Sequence, residues 1–405
     1  MRLSFEWLID PIKPETFFKD YYERKPLLIA RDEPGRFERL LSIGSIDRFL
    51  ATTSASYPDV FLVDAARPLN SEDYTLATPQ QEGRLNLARV YELFRSGATI
   101  SIRHLHEEES GLAALCRAVE KAFSGPFQTN IYLSPPRAQG FKTHFDSHDV
   151  FVLQVAGSKV WTLNDTLIEL PLHGQKFISD KHIPGPPNQE FTIRAGDLFY
   201  CPRGLFHSAR STDEVSLHIT LGLIGRTWAD VMAAAISAAC VASPAFRANL
   251  PVGYANADFN PARATETFRS LIEVFSRTAD LRPILEQFAE EFVTSRRPDL
   301  TGGLQELTVA SPVGLETTVE PRPDLIYRIR EMQEKVELLF GPTTITFPAA
   351  VRDTLLFALR GQPFAVRDLP GRLDDPGKIV LVSRLIREGL LVRTPGRVGR
   401  TVAQP

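Results

Sequence analysis

Apolar positions change period along this chain, and the changes divide it. From Pro14 to Lys25 apolar residues recur at helical steps, with acids and bases between them. Pro26–Ala30 is a short apolar run opened by proline and reads as a strand. Ile46–Leu50 predicts a short helix. Leu85–Ser96 and Gly111–Phe123 predict longer ones, with apolar residues three and four apart. From Gln128 the period shortens to two. Asn130–Ser134 predicts a strand that ends at Pro135-Pro136. Val150–Val155, the turn Ala156-Gly157-Ser158 and Lys159–Leu163 read as one hairpin. Glu190–Arg194, the turn Ala195-Gly196-Asp197 and Leu198–Cys201 read as a second. In Glu214–Leu221, Val215, Leu217, Ile219 and Leu221 fall on one side, and Ser216, His218 and Thr220 on the other. Many short strands with Gly and Pro turns predict a sandwich or barrel, whose lumen-facing side chains can build a site.

After Gly225 the helical period returns. Thr227–Cys240, Ala264–Ala279 and Leu281–Ser295 predict helices, and Arg296–Gly303 reads as a loop and a boundary. Leu325–Leu339, Ala349–Leu359 and Lys378–Arg387 also predict helices, with Gly389 stopping the last and Leu390–Arg393 turning back as a strand. Helix, short apolar segment (Phe364–Val366), helix, then hairpin is a winged-helix order. The expected division is a catalytic region with an N-terminal helical extension over 1–226 and a helical, dimer-forming region over 227–303. A winged-helix-like unit follows over 304–396, and a Gly-, Arg- and Pro-rich tail over 397–405.

Composition narrows the class little. Of 405 residues, 43% are hydrophobic and 23% charged, ordinary for a globular chain, and the net charge of −3 gives no global attraction to nucleic acid or anionic lipid. Cys116, Cys201 and Cys240 form no CxxC pair, which suits a reducing cytoplasm. The N-terminus has no apolar h-region, and no apolar run is long enough for a membrane span. Val231–Ala242 comes nearest. Lys378–Arg400 carries one Lys and five Arg, but its helix is mostly core-like, so no direct nucleic-acid binding is expected.

Histidine placement is more informative. All eight histidines lie between His104 and His218. His144 and Asp146 form an HxD triplet after a Pro-, Gly-containing loop and before a strand. The stretch Gly196…Pro202-x-Gly204-x-x-His207 then returns a second imidazole after a turn. Two neutral imidazoles and one carboxylate on one face of a metal, with the other face open, is the arrangement of non-haem Fe(II) oxygenases. His144, Asp146 and His207 are therefore the candidate ligands. His148 is near enough to touch a substrate, or is an incidental loop histidine. His104-x-His106 has no third ligand and reads as a strand-end surface pair, and Cys201 reads as packing.

The segment from His144 to Trp161, with its Asp-Val-Phe, Gln154, Gly157 and Trp161 positions, resembles the JmjC-type cupin oxygenases, most closely their ribosomal oxygenase branch. So does the Gly196–His207 spacing, and so does the order of the whole chain. Ordinary cupins carry HxH and a later Glu; here Asp146 replaces the second His, which shifts the expectation to Fe(II). The resemblance implies an α+β chain: a double-stranded β-helix (the cupin or JmjC jelly roll), then a helical dimerisation unit and a winged-helix domain. It implies Fe(II), 2-oxoglutarate and O2 as cofactors. Lys159, fifteen residues after His144, matches the cosubstrate-anchoring cation, and Tyr132 a tyrosine that reaches the same carboxylate. Thr220, His218 and Asn130 are expected to line that pocket. The implied activity is hydroxylation of a protein side chain, an arginine or histidine of a ribosomal protein, by a cytoplasmic homodimer. A free amino acid or peptide natural product as substrate, N-methyl-lysine demethylation, and a non-catalytic cupin that binds a partner are the alternatives.

Overall fold

The computed structural model describes residues 3–77, 82–308 and 311–394. It divides into two compact units, Met1–Gly225 and Arg226–Pro405. The first opens with α1 (Phe5–Ile9), α2 (Pro14–Asp20), β1 (Leu27–Ile29), α3 (Ile43–Thr52), β2 (Val60–Val63) and α4 (Leu87–Arg95). It continues with β3 (Thr99–Arg103), α5 (Ser110–Phe123) and β4 (Phe127–Ser134). Then come β5 (Val150–Ala156), β6 (Ser158–Leu167), β7 (Pro187–Arg194), β8 (Leu198–Cys201), β9 (Leu205–Ser211) and β10 (Ser216–Leu223). Seven strands form one antiparallel sheet in the order β1-β8-β5-β10-β4-β3-β2, and three form another in the order β7-β6-β9.

Both expected hairpins are corrected by this topology. β5 pairs with β10 and β8, whereas β6 pairs with β7 and β9, so the two strands lie in different sheets. β7 and β8 are separated in the same way. The Gly-containing turns are corners between sheets. At Gly157, φ is +61° and a Cβ would lie 1.9 Å from the Val215 carbonyl oxygen, so only glycine fits.

The large sheet is buried on both faces, which is why β5 reads as a continuous apolar run. Phe151 and Leu153 face the N-terminal helices, where they join Phe5, Phe17, Leu112, Leu115 and Val119. Val150 and Val152 face the barrel interior with Trp161, Leu163, Ile193 and Phe199. In β10, Leu217, Ile219, Leu221 and Leu223 belong to the helix-facing core, so His218 and Thr220 point into the barrel. Each large side chain buried this way contributes about 1.5–3 kcal/mol.

The second unit begins with α6 (Trp228–Ala242), α7 (Ala262–Thr278), α8 (Leu281–Thr294) and α9 (Gly303–Leu307). Thr227 and Asp230 form a capping box that starts α6. Val231, Ala235, Phe275 and Ile284 form a small core there. The remainder holds β11 (Thr318–Pro321), β12 (Arg328–Glu331), β13 (Lys335–Phe340), β14 (Thr343–Pro348), α10 (Arg352–Ala358), β15 (Phe364–Ala365), α11 (Asp375–Arg387) and β16 (Leu391–Arg393). These build two three-stranded sheets, β12-β13-β14 and β15-β11-β16, over one core around Leu338, Leu355, Val382 and Leu391.

The helix expected over Leu325–Leu339 is therefore wrong. Leu325, Ile329, Met332, Val336 and Leu339 mimic a helical stripe, but Val336, Leu338 and Phe340 also alternate. Pairing of β13 with the β-branched strand β14 selects the shorter period. The expected tail over 397–405, and any strand returning after β16, lie outside the described residues.

Candidate metal centre

Two backbone segments bring the three metal-ligand candidates together. The His144 amide donates to the His207 carbonyl at 3.0 Å and the His207 amide to the His144 carbonyl at 2.8 Å. The Gly204 amide donates to the Asp146 carbonyl at 2.8 Å. The stretch 144–146 thus runs as a short extra strand beside the start of β9. Gly204 sustains the turn: its φ is +84°, and a Cβ would lie 1.8 Å from the Ile168 carbonyl oxygen.

The side chains follow from this pairing. One ligand atom from each of His144, Asp146 and His207 lies within 4.8 Å of the others. His207 Nε2 is 3.7 Å from Asp146 Oδ2, and the imidazole centroids are 4.7 Å apart. Nδ1 of His144 lies 2.8 Å from the Lys142 carbonyl and Nδ1 of His207 2.9 Å from the Leu205 carbonyl. A carbonyl only accepts, so both rings carry their proton on Nδ1 and present the Nε2 lone pair. Burial, with the neighbouring His144, lowers the His207 pKa to about 4, so the ring is neutral. Burial pushes the Asp146 carboxyl up, but the imidazoles of His144, His207 and His148 outweigh it, and the pKa falls below its ordinary value. Two imidazole Nε2 atoms and a carboxylate held below its ordinary pKa form a donor set suited to a divalent transition metal.

These residues open onto a cavity of about 70 Å³. Lys159, Tyr132, His218 and Thr220 also line it, between apolar walls that include Val150, Val152 and Trp161. Lys159, on β6, is 4% exposed, and its ammonium donates to Ser134 Oγ at 3.0 Å across the space between the sheets. Burial lowers its pKa to about 7. Ser134 Oγ is shared with Thr99 Oγ1 at 2.9 Å. Tyr132 stacks on His218 with centroids 4.9 Å apart, as expected of directly paired residues on β4 and β10. Burial raises the Tyr132 pKa, with Asp146 adding to the effect, so the phenol stays protonated. Burial, reinforced by Lys159, holds His218 well below its ordinary value, and its Nδ1 has no hydrogen-bond partner among the described residues.

Asn130 is paired with Thr220 on the same face, one alternation beyond Tyr132, and is not among the cavity-lining residues. His148 packs against Gly222 outside the cavity lining. His104 and His106 bond Gln128 and Thr129 at the end of β3. Cys201 is buried behind His207, with its sulfur 3.6 Å from Nδ1. Sequence reasoning passed over Ser134 and Thr99. Ser134 continues the Tyr132 alternation on β4, a signal already present in the pattern. Thr99 belongs to β3, whose pairing was not legible.

A JmjC domain family matches residues 104–231. Ribosomal oxygenase 1 of Rattus norvegicus is 31% identical over 443 residues, covering 96% of this chain and 72% of the relative. The Homo sapiens protein of the same name is 30% identical, covering 75% of this chain and 50% of the relative. A Dictyostelium discoideum protein named bifunctional lysine-specific demethylase and histidyl-hydroxylase NO66 is 27% identical, with 95% and 81% covered. The chain spans about half the length of the bovine and human relatives it matches. Among solved structures, Escherichia coli ycfD superposes with a TM-score of 0.54 at 14% identity, covering 95% of this chain and 98% of that one. The same protein, titled a ribosomal oxygenase in complex with cobalt and 2-oxoglutarate, gives a TM-score of 0.51 at 13% identity, covering 95% of this chain and 99% of that one. These structures establish the fold, and the rat relative, matched over nearly this whole chain, establishes the kinship. The chain belongs to the JmjC-type ribosomal oxygenase family.

Proposed function

We propose that this protein is an Fe(II)- and 2-oxoglutarate-dependent oxygenase that hydroxylates an arginine or histidine side chain of a ribosomal protein. The observation that carries the reading is the convergence of His144, Asp146 and His207 on one cavity with a buried lysine. An ammonium that is 4% exposed and bonded to one serine is costly unless an anion joins it. Relatives named ribosomal oxygenase and histidyl-hydroxylase support the substrate class.

In this reading His144 and His207 hold the metal through Nε2 and Asp146 through its carboxylate. The Lys142 and Leu205 carbonyls keep the Nδ1 protons and so the ring orientations. Lys159 and the Tyr132 hydroxyl hold the far carboxylate of 2-oxoglutarate, with Thr220 and His218 beside them. Val150, Val152 and Trp161 exclude water from the reacting centre. When bound, iron with 2-oxoglutarate and O2 supplies the oxidative decarboxylation that drives C–H hydroxylation. Asn130 lies one alternation further along β4, outside the lining of this cavity.

The reading extends to the second unit. Trp228, Met232 and Ile236 recur every four residues on α6 and are 72%, 51% and 37% exposed, which supports residues 227–303 as a homodimer-forming region. The order α10, β15, α11, β16 around β11 supports a winged-helix-like accessory unit over 304–396. A ribosomal substrate supports a cytoplasmic location. No helix among the described residues is long and apolar enough to cross a membrane.

The test is anaerobic binding of Fe(II) and 2-oxoglutarate, then succinate release on adding O2, for wild type and His207→Ala. Succinate from wild type alone supports the oxygenase. No binding and no succinate from either leaves a cupin-shaped binding protein.

A further inference from the structure

Behind the metal-ligand candidates lies a second polar cluster that the proposed reaction does not use. Asp149, three residues after Asp146, is 1% exposed. Its Oδ1 accepts from the Tyr200 hydroxyl at 2.5 Å, and its Oδ2 from Arg203 Nη1 at 3.2 Å. Arg203 Nη2 reaches Glu23 Oε1 at 2.7 Å. The Glu23 amide donates to the Tyr200 oxygen at 2.9 Å and closes the ring. Glu23 follows α2, and α2 is anchored on the same strand, since Phe17 packs edge-on to Tyr200 with centroids 4.9 Å apart. Four side chains from three distant segments are thus joined: the N-terminal extension, the loop after the His144–Asp146 motif, and the strand and turn before His207.

The ring stands where the spacing of the metal ligands is decided. The loop from His144 to Asp149 has two fixed ends. One is the main-chain pairing of His144 with His207; the other is Asp149, whose carbonyl accepts from the Leu223 amide at 2.9 Å and whose carboxylate is held by Tyr200 and Arg203. Between them, Asp146 is tied by its carbonyl to Gly204, the residue after Arg203. A buried ion pair contributes little net stability compared with well-packed apolar groups, and the best-attested use of one is to specify an arrangement. Without the Asp149 carboxylate the Asp146 loop would keep its His144 end, the Gly204 bond and the Leu223 amide bond to the Asp149 carbonyl, but would lose its link to the strand and turn before His207 and to the N-terminal extension.

We propose that Asp149, Arg203, Tyr200 and Glu23 are positioning residues that hold Asp146 and His207 at metal-binding separation, so that the N-terminal extension, through Glu23, sets the metal affinity of the centre. This rests on the metal-centre reading above. Partners beyond the ligands typically change metal affinity 10–100-fold when removed, and the intervening Asp146 loop puts this ring at the lower end, roughly tenfold.

The experiment is titration of the metal-free full chain with Co(II), read by visible absorption, beside thermal melts without metal. Wild type should bind one Co(II), and Asp146→Ala should bind none. Arg203→Met should bind roughly tenfold more weakly with an altered spectrum, and Arg203→Lys should recover part of that loss. Glu23→Gln, at the rim of the ring, should weaken Co(II) roughly threefold while keeping the metal-free melting temperature. If Arg203→Met does not fold, Glu23→Gln and Tyr200→Phe decide. Folded variants with wild-type Co(II) affinity and spectrum would overturn the proposal while leaving the metal centre standing. A wild type that binds no Co(II) would overturn both.

Discussion

Replacing Lys159 with methionine should stabilise the cosubstrate-free protein and abolish 2-oxoglutarate binding. The lysine is 4% exposed and its pKa is held at about 7 by burial. The unfolded chain keeps that proton up to about 10.5. Between these values the unfolded state binds more protons than the folded one, so wild-type stability rises with pH there. The penalty is complete below about pH 7 and gone above about 10.5. At 1.36 kcal/mol per pH unit it amounts to at most about 5 kcal/mol. Methionine matches the four-atom stem and lacks the charged nitrogen, and Ser134 keeps its bond to Thr99, so no hydroxyl is orphaned. A net gain of about 2 kcal/mol after packing losses would raise the melting temperature by roughly 4–8 °C for a unit of this size. Melts of wild type and Lys159→Met at pH 6.5 and pH 10, without 2-oxoglutarate, test this. The gain should be present at the lower pH and shrink at the higher. Calorimetric titration at pH 6.5 should give at least a hundredfold loss of 2-oxoglutarate affinity. A variant less stable than wild type at pH 6.5, or one that still binds 2-oxoglutarate, would refute the reasoning.

Three further outcomes are expected. Gly204→Ala should weaken metal binding more than it lowers the melting temperature, because its Cβ would meet the Ile168 carbonyl at 1.8 Å beside the Asp146 main chain; metal titration against melts separates the two. Phe151→Ala, fully buried between the large sheet and the N-terminal helices, should cost about 3–5 kcal/mol in urea unfolding, and a loss under about 1 kcal/mol would contradict the packing described. Trp228→Glu with Met232→Glu should convert a dimer to a monomer in light scattering without changing Co(II) affinity. An unchanged mass would count against α6 as a dimer-forming face.

Much of the core was legible because burial imposes a period. The alternation in Glu214–Leu221 separates His218 and Thr220 from the leucines, as β10 does, and β8 over Leu198–Cys201 falls where the pattern put it. The spacing of His144, Asp146 and His207 was legible because each lies beside a turn whose glycine or proline marks it. Pairing was not. A corner between sheets and a hairpin use the same Gly-containing turn, so β5 and β6 looked like neighbours although they face each other across the cavity. Over Leu325–Leu339 two periods fit the same residues, and only β14 chose between them.

The sequence by itself determined which side chains of β10 point inward and which residues are the metal-ligand candidates, because alternation and residue type are local properties. Tertiary structure alone decided what meets what. It brought Ser134 to the Lys159 ammonium, set Asp149 and Arg203 against Glu23 and Tyr200, and left His218 Nδ1 with no hydrogen-bond partner among the described residues. Those contacts join residues 25 to 180 positions apart, and no local period encodes a distance across the chain.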